Sequence, residues 1–180
     1  MGFAIKVAPT DRVFQPSMAL GLFEPHVMAA VRAYARPGSV AIDAFGHVGY
    51  FTLMLAQAVG PEGGVETYEC DPRLAPRIAQ HVSVNDMSGI VNVNEVAVWD
   101  VDGEEVELKI VEMPGWSYLE EGMWEPVATV RVPSVTCDEH LRRRNIDPAT
   151  VSFVKLDVEG AEVRARPVWN GCSARATPQS

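Results

Sequence analysis

Ser39-Val40-Ala41-Ile42-Asp43-Ala44-Phe45-Gly46-His47-Val48-Gly49-Tyr50-Phe51-Thr52 runs from an apolar strand through a carboxylate and a glycine-containing turn into a helix. Such a layout cradles nucleotide cofactors. Glycines let the backbone approach a ligand and adopt positive φ, and the first amides of the next helix have no partner within it. Glu69 closes the following apolar run, Val65-Glu66-Thr67-Tyr68-Glu69, twenty residues beyond Gly49. A carboxylate there accepts both ribose hydroxyls in βαβ dinucleotide sites. Either half alone fits a purely structural βα turn; together they point to a bound nucleotide cofactor.

Outward from this stretch, strands and helices alternate. Pro25 follows Glu24 at a helix start, and Val27, Val31 and Tyr34 recur at helical spacing until Arg36-Pro37-Gly38 ends the run. A helix from about Gly49 to Val59 is broken by Gly60-Pro61-Glu62-Gly63-Gly64. Asp71-Pro72 reads as N-cap and first helical residue, with Leu74, Ile78 and Val82 as the buried stripe. Val91 to Trp99 reads as one strand. Asp102-Gly103 then marks a tight turn into the alternating Val106-Glu107-Leu108-Lys109-Ile110, echoed by Thr129-Val130-Arg131-Val132. Between these, Met113 to Pro126 carries Trp116, Tyr118 and Trp124, either as a mobile aromatic loop or as rings packed over the sheet. Thr136-Cys137-Asp138-Glu139 fits a capping box, and Val151 to Asp157 a buried strand ending in an acid. The alternation predicts an α/β fold with a parallel sheet covered by helices. Asp43, Glu69 and Asp157 share the rim at the C-terminal ends of its strands, where ligands of such sheets bind.

A chain of 180 residues, 47% hydrophobic and 22% charged, fits one domain with a real core. Fifteen basic against 24 acidic side chains give a net charge of -9, which repels a phosphate backbone, so nucleic acid is excluded as an expected partner. The basic run Arg142-Arg143-Arg144 falls near a helix C-terminus, where cations offset the macrodipole; the alternative is a site for an anionic acceptor. Cys70, Cys137 and Cys172 are odd in number and widely spaced, which argues against a disulfide framework or a zinc site and suits a reducing cytoplasm. The four histidines are scattered, so no metal is expected. The N-terminus lacks a long apolar core behind basic residues, and the apolar stretch Tyr50 to Val59 is too short to span a bilayer, so no membrane association is expected. Residues 163–180 hold three arginines, two prolines and no acid, which divides the chain into a domain over 1–162 and a poorly ordered tail.

Five stretches resemble the FkbM-type methyltransferases, a branch of the class I S-adenosylmethionine-dependent enzymes. They are Gly21-Leu22-Phe23-Glu24-Pro25, Asp43 to Phe51, Tyr68-Glu69-Cys70-Asp71-Pro72, Val96-Ala97-Val98-Trp99-Asp100 leading to Asp102-Gly103, and Lys155-Leu156-Asp157-Val158-Glu159-Gly160-Ala161-Glu162. The resemblance implies a Rossmann-like, doubly wound, mostly parallel sheet of the class I methyltransferase type with an inserted β-hairpin. It also implies S-adenosylmethionine as cofactor. Asp43, Gly46 and Gly49 would hold its amino acid end, Glu69 the ribose, and the Ala97-Val98 turn the adenine edge. Asp157 is the first choice for a base acting on a hydroxyl acceptor and His47 the second, since an imidazole titrates near working pH. Asp157 otherwise caps the turn that follows it. The implied reaction is O-methylation of a sugar or small natural product, so the partner is a small-molecule or glycan acceptor. Two other readings stand beside it: an inactive cofactor-binding remnant, and a nicotinamide-dependent oxidoreductase.

The chain departs from the family pattern at Phe45, where glycine is usual, at His47, where asparagine is usual, and at Cys70, where proline is usual. Phe45 in a positive-φ turn costs about 1 to 2 kcal/mol and brings its ring toward the cofactor's carboxypropyl end. Similar enzymes carry further strands after the Glu159-Gly160-Ala161-Glu162 motif, whereas this resemblance stops near Val163. The expectation is therefore a C-terminally truncated or frame-shifted chain with its last strands missing. The strand 151–157 would lie at an open edge and promote self-association.

Overall fold

The computed structural model describes residues 2–6, 14–112, 117–119 and 124–157. In chain order its elements are α1 (Phe14–Ala19), α2 (Pro25–Tyr34), β1 (Val40–Ala44), α3 (Tyr50–Val59), β2 (Gly64–Tyr68), α4 (Ala75–Val84), β3 (Val91–Asn94), β4 (Ala97–Val98), β5 (Glu105–Ile110), β6 (Ala128–Val135), α5 (Cys137–Arg143) and β7 (Val151–Leu156). β3, β2, β1 and β7 form a parallel sheet in that order. The register sets Asp43 opposite Thr67 on one side and Lys155 on the other.

Alternation along the strands separates two apolar faces. Ala41 and Val65 pack with Val27 and Val31 of α2, Leu53 and Val59 of α3, and Ile78 and Val82 of α4. On the other face Ile42, Ala44 and Tyr68 meet Val98, Val135, Cys137 and Leu141 beneath α5. Helices on both faces make the sheet doubly wound, as the family resemblance implies. Fully buried side chains such as Leu53, Leu55 and Ile78 each contribute about 1.5 to 3 kcal/mol.

Several boundaries differ from the sequence reading. Val91 to Trp99 is not one strand. Val96 N donates to Asn94 O at 2.9 Å, and Asn94 Nδ2 is engaged by Glu66 and by the carbonyl of Thr67. The chain therefore leaves the first sheet after Asn94, and β4 pairs with β6 in a second sheet of order β4-β6-β5. The expected hairpin is β5 against β6, with Val106 opposite Val132. The third predicted helix starts at Ala75 instead of Pro72: Asp71 Oδ1 accepts from Arg73 N and Asp71 O from Leu74 N, so Asp71 caps a preceding turn. Tyr34 is exposed, off the buried stripe of α2. Only half of the capping box forms, because Thr136 accepts from Glu139 N while the Glu139 carboxylate pairs with Arg142 and Arg143. α1 has no counterpart in the sequence reading.

Tyr118 is buried, bridges Lys109 in the sheet and donates to Trp124 O, as rings packed over the sheet require, while Trp124 is exposed. Trp116, Cys172, the stretch after Asp157 and the tail lie outside the described residues. Arg142 and Arg143 pair with Glu139, Arg143 also with Asp102, and Arg144 with Glu66, in keeping with cations at a helix end. Among the described residues no cluster suited to a metal occurs, and no helix is long and apolar enough to cross a membrane.

Candidate functional site

β1 carries Asp43 inward, fully buried, toward the start of α3. Thr52 Oγ1 donates to Asp43 Oδ2 at 2.6 Å, and Thr67 Oγ1 donates to Thr52 Oγ1 at 3.0 Å. Asp43 Oδ1 accepts no hydrogen bond and faces Lys155 Nζ at 3.8 Å. Burial pushes the Asp43 carboxyl above its ordinary pKa, although Lys155 and the Thr52 hydroxyl pull the other way.

Lys155 organises the rim, a role the sequence reading does not assign. Its ammonium lies 3.1 Å from Asp157 Oδ2, 5.5 Å from the centre of the Phe51 ring, and its side chain is only 10% exposed. Burial opposes its charge, but Asp43, Asp157 and Glu24 together outweigh that and raise its pKa. Glu24, the residue before α2, is raised by burial and then by Asp157. One cation thus serves three acids. The available signal is a lysine between the apolar Val154 and Leu156, two residues before a rim acid. Asp157 itself is exposed at the end of β7.

The turn from β1 into α3 holds three left-handed residues: Phe45 at φ 63, His47 at φ 56 and Gly49 at φ 84. Its amides point at the end of β2. Phe45 N and Gly46 N donate to Tyr68 O at 2.8 and 3.1 Å, and His47 N donates to Glu69 Oε2 at 2.8 Å. The two glycines face the protein. A Cβ on Gly46 would lie 2.8 Å from Thr67 Cγ2, and one on Gly49 would lie 3.2 Å from Ile78 Cγ2, so close packing on β2 and α4 demands both.

Glu69 is 4% exposed and engaged at both oxygens, since Oε1 accepts from Asp71 N at 2.8 Å. Each oxygen retains a second lone pair. Burial raises its pKa to about 7, against the two amide hydrogen bonds that favour the ionised form.

Ala97 and Val98 do not form the expected turn. They are β4, paired with Ser134 and Val135, and are fully buried. Phe45 packs against both of their clusters, one holding Cys70, Ala97 and Trp99, the other holding Tyr68 and Val98. The strain expected for Phe45 is present, but the ring leans toward the candidate adenine edge. Asp43, the glycine loop, Glu69 and Asp157 thus share one rim, whereas Ala97 and Val98 are buried within the clusters against which Phe45 packs.

The described sheet is that of a Rossmann-like α/β fold, with Asp43, Glu69 and Asp157 on the rim at its strand ends. Residues 43–165 match the model of the methyltransferase FkbM domain, and the chain belongs to that family. Among solved structures it is similar to methyltransferase FkbM from Methylobacillus flagellatus KT, with 13% identity over 78% of this chain and 35% of that one and a TM-score of 0.47. An SAM-dependent O-methyltransferase from Thermotoga maritima gives 20% identity over 52% and 34%, TM-score 0.38. An SAM dependent methyltransferase from Aquifex aeolicus gives 21% over 55% and 46%, TM-score 0.36. This chain spans less than half the length of each of the three. A search of curated proteins finds no match.

Proposed function

We propose that this chain is the cofactor-binding part of an S-adenosylmethionine-dependent methyltransferase acting on a hydroxyl of a sugar or small natural product. The observation that carries this reading is Asp43 Oδ1, a fully buried carboxylate oxygen without a hydrogen bond beside a left-handed glycine loop. A buried carboxylate oxygen without a hydrogen bond costs about 1 to 3 kcal/mol. Lys155 Nζ at 3.8 Å offsets its charge without hydrogen-bonding it, and a second cationic amine within hydrogen-bond reach supplies the missing bond. The donor set therefore fits the ammonium end of the cofactor, and the buried Glu69 carboxylate fits its ribose hydroxyls. When bound, the cofactor supplies an electrophilic methyl group on a sulfonium.

What remains for the protein is alignment and proton removal. Asp43 anchors the amino end of the ligand beside a loop that Gly46 and Gly49 let pack closely on β2 and α4, Glu69 takes its ribose, and the Ala97-Val98 strand supplies an apolar edge once Phe45 moves. Asp157 takes the proton of the hydroxyl acceptor, and Lys155 orients its carboxylate. His47 is the second candidate base. A reducing, cytoplasmic setting accords with the buried thiols of Cys70 and Cys137.

Phe45 packed against the clusters of Ala97 and Val98, with both Glu69 oxygens engaged, favours a second reading: a remnant that binds cofactor weakly and transfers nothing. Calorimetric titration with S-adenosylhomocysteine and with NAD, followed by methyl transfer to a panel of sugar hydroxyls, tests both. Binding of S-adenosylhomocysteine alone together with turnover supports the enzyme. Binding without turnover on any acceptor supports the remnant, and binding of neither ligand contradicts both.

A further inference from the structure

The N-terminal segment and the cofactor loop meet at one imidazole. His81 of α4 is 1% exposed. Its Nε2 lies 3.0 Å from Lys6 N, and its Nδ1 lies 2.7 Å from Val48 O. A backbone amide only donates and a carbonyl only accepts, so both bonds coexist only when His81 is neutral with its proton on Nδ1. A second proton would set an N–H at Nε2 against the N–H of Lys6.

Both ends of this link are consequential. Val48 stands between His47 and Gly49, two of the three left-handed residues of the loop. Non-glycine residues hold such a conformation only where their surroundings fix it. The loop's own amides are fixed from β2, by Tyr68 O and Glu69; His81 fixes a carbonyl from the opposite side, through α4. Residues 2–6 lie across α3 and α4. Ala4 exchanges two hydrogen bonds of 2.7 Å with the Asn85 side chain, Arg77 Nη2 donates to Lys6 O at 3.4 Å, and Phe3 meets the edge of Tyr50 at 5.5 Å.

We propose that His81 is a positioning residue for the cofactor loop, coupling the docking of residues 2–6 to cofactor binding through its neutral, Nδ1-protonated form. The inference deepens the methyltransferase reading and rests on it for its binding arm. The charged groups facing His81 are Arg77 on its own helix and Lys6 on the segment; burial first, then these two cations, hold its pKa below the ordinary 6.5, while the Val48 carbonyl pulls upward. The sign follows: the latch is complete above about pH 6.5 and is released as acid charges the ring. Glu69, across the loop, titrates near 7 and must be separated from it.

The test uses the full chain in three forms: wild type, His81→Gln, whose amide still donates but does not titrate, and His81→Leu. Nitrogen NMR of wild type at neutral pH should show the His81 proton on Nδ1; a proton on Nε2 overturns the proposal. S-adenosylhomocysteine titrations should show wild-type affinity falling with acid through two groups, and His81→Gln keeping neutral-pH affinity but responding through Glu69 alone. His81→Leu should bind about tenfold more weakly, as loss of the buried hydrogen bond to the Val48 carbonyl of the loop requires. Hydrogen exchange at the Lys6 amide and across residues 45–49 should quicken together in His81→Leu. An unchanged pH profile in His81→Gln, or exchange that quickens at one end only, overturns the coupling. If wild type binds no S-adenosylhomocysteine the functional reading fails, while the tautomer and exchange arms still decide the latch.

Discussion

Phe45 and Glu69 carry opposite consequences for the site. At φ 63 the phenylalanine bears a strain of about 1 to 2 kcal/mol, compensated by its packing against the Ala97 and Val98 clusters. Phe45→Gly removes the strain and the apolar cover together. Cofactor binding should tighten, while stability falls by up to about 2 kcal/mol because burial of an aromatic ring exceeds the strain relieved. Calorimetry and urea unfolding of the same variant check both signs, and weaker binding contradicts the assignment of the ring as a cover. Glu69→Gln should weaken S-adenosylhomocysteine binding by about 1.5 to 3 kcal/mol through loss of charge-assisted hydrogen bonds. The wild-type affinity should also rise with pH through about 7, as the carboxylate ionises to accept the ribose hydroxyls, and Glu69→Gln should lose that rise. The folding term has the opposite sign. A folded pKa raised from 4.5 to about 7 favours folding most below pH 4.5, and this contribution is lost as pH climbs through 7.

At the scale of elements, β1, α3 and β2 were legible because period and punctuation agree there: alternation in the strands, helical spacing after Gly49, and glycines at both breaks. Asp43 and Glu69 were legible as strand-end acids. Lys155 was not, since its meaning depends on a register that sets it opposite Asp43, and a register between strands more than a hundred residues apart is not a local signal. Nor was the break after Asn94, decided by a side-chain amide reaching Glu66 and the Thr67 carbonyl. The start of α4 was misplaced because Asp71 caps a turn in the same chemistry by which it caps a helix. Lys155→Met tests the rim at this scale. It leaves the buried Asp43 without its cation, so unfolding in urea should show a loss of about 3 kcal/mol. A loss below about 1 kcal/mol would mean that Asp43 is already neutral and that Lys155 serves Asp157 alone.

For the whole molecule, β7 is the last strand of the sheet among the described residues, with β1 on one side. Among the described residues no strand pairs with its outer row of backbone donors and acceptors, and such a row pairs readily with another chain. Light scattering across a concentration series should therefore show mass rising above 19.6 kDa, and a constant monomer mass contradicts an open edge. Family membership rests on residues 43–165, which contain the glycine loop, Glu69 and Asp157. The central claim is that this rim holds S-adenosylmethionine, and titration calorimetry of the unaltered chain with S-adenosylhomocysteine beside NAD tests it most directly. The account predicts saturable one-to-one binding of S-adenosylhomocysteine, weakened by Glu69→Gln, and no heat from NAD. Binding of NAD in its place, or equal affinities for wild type and Glu69→Gln, would contradict it.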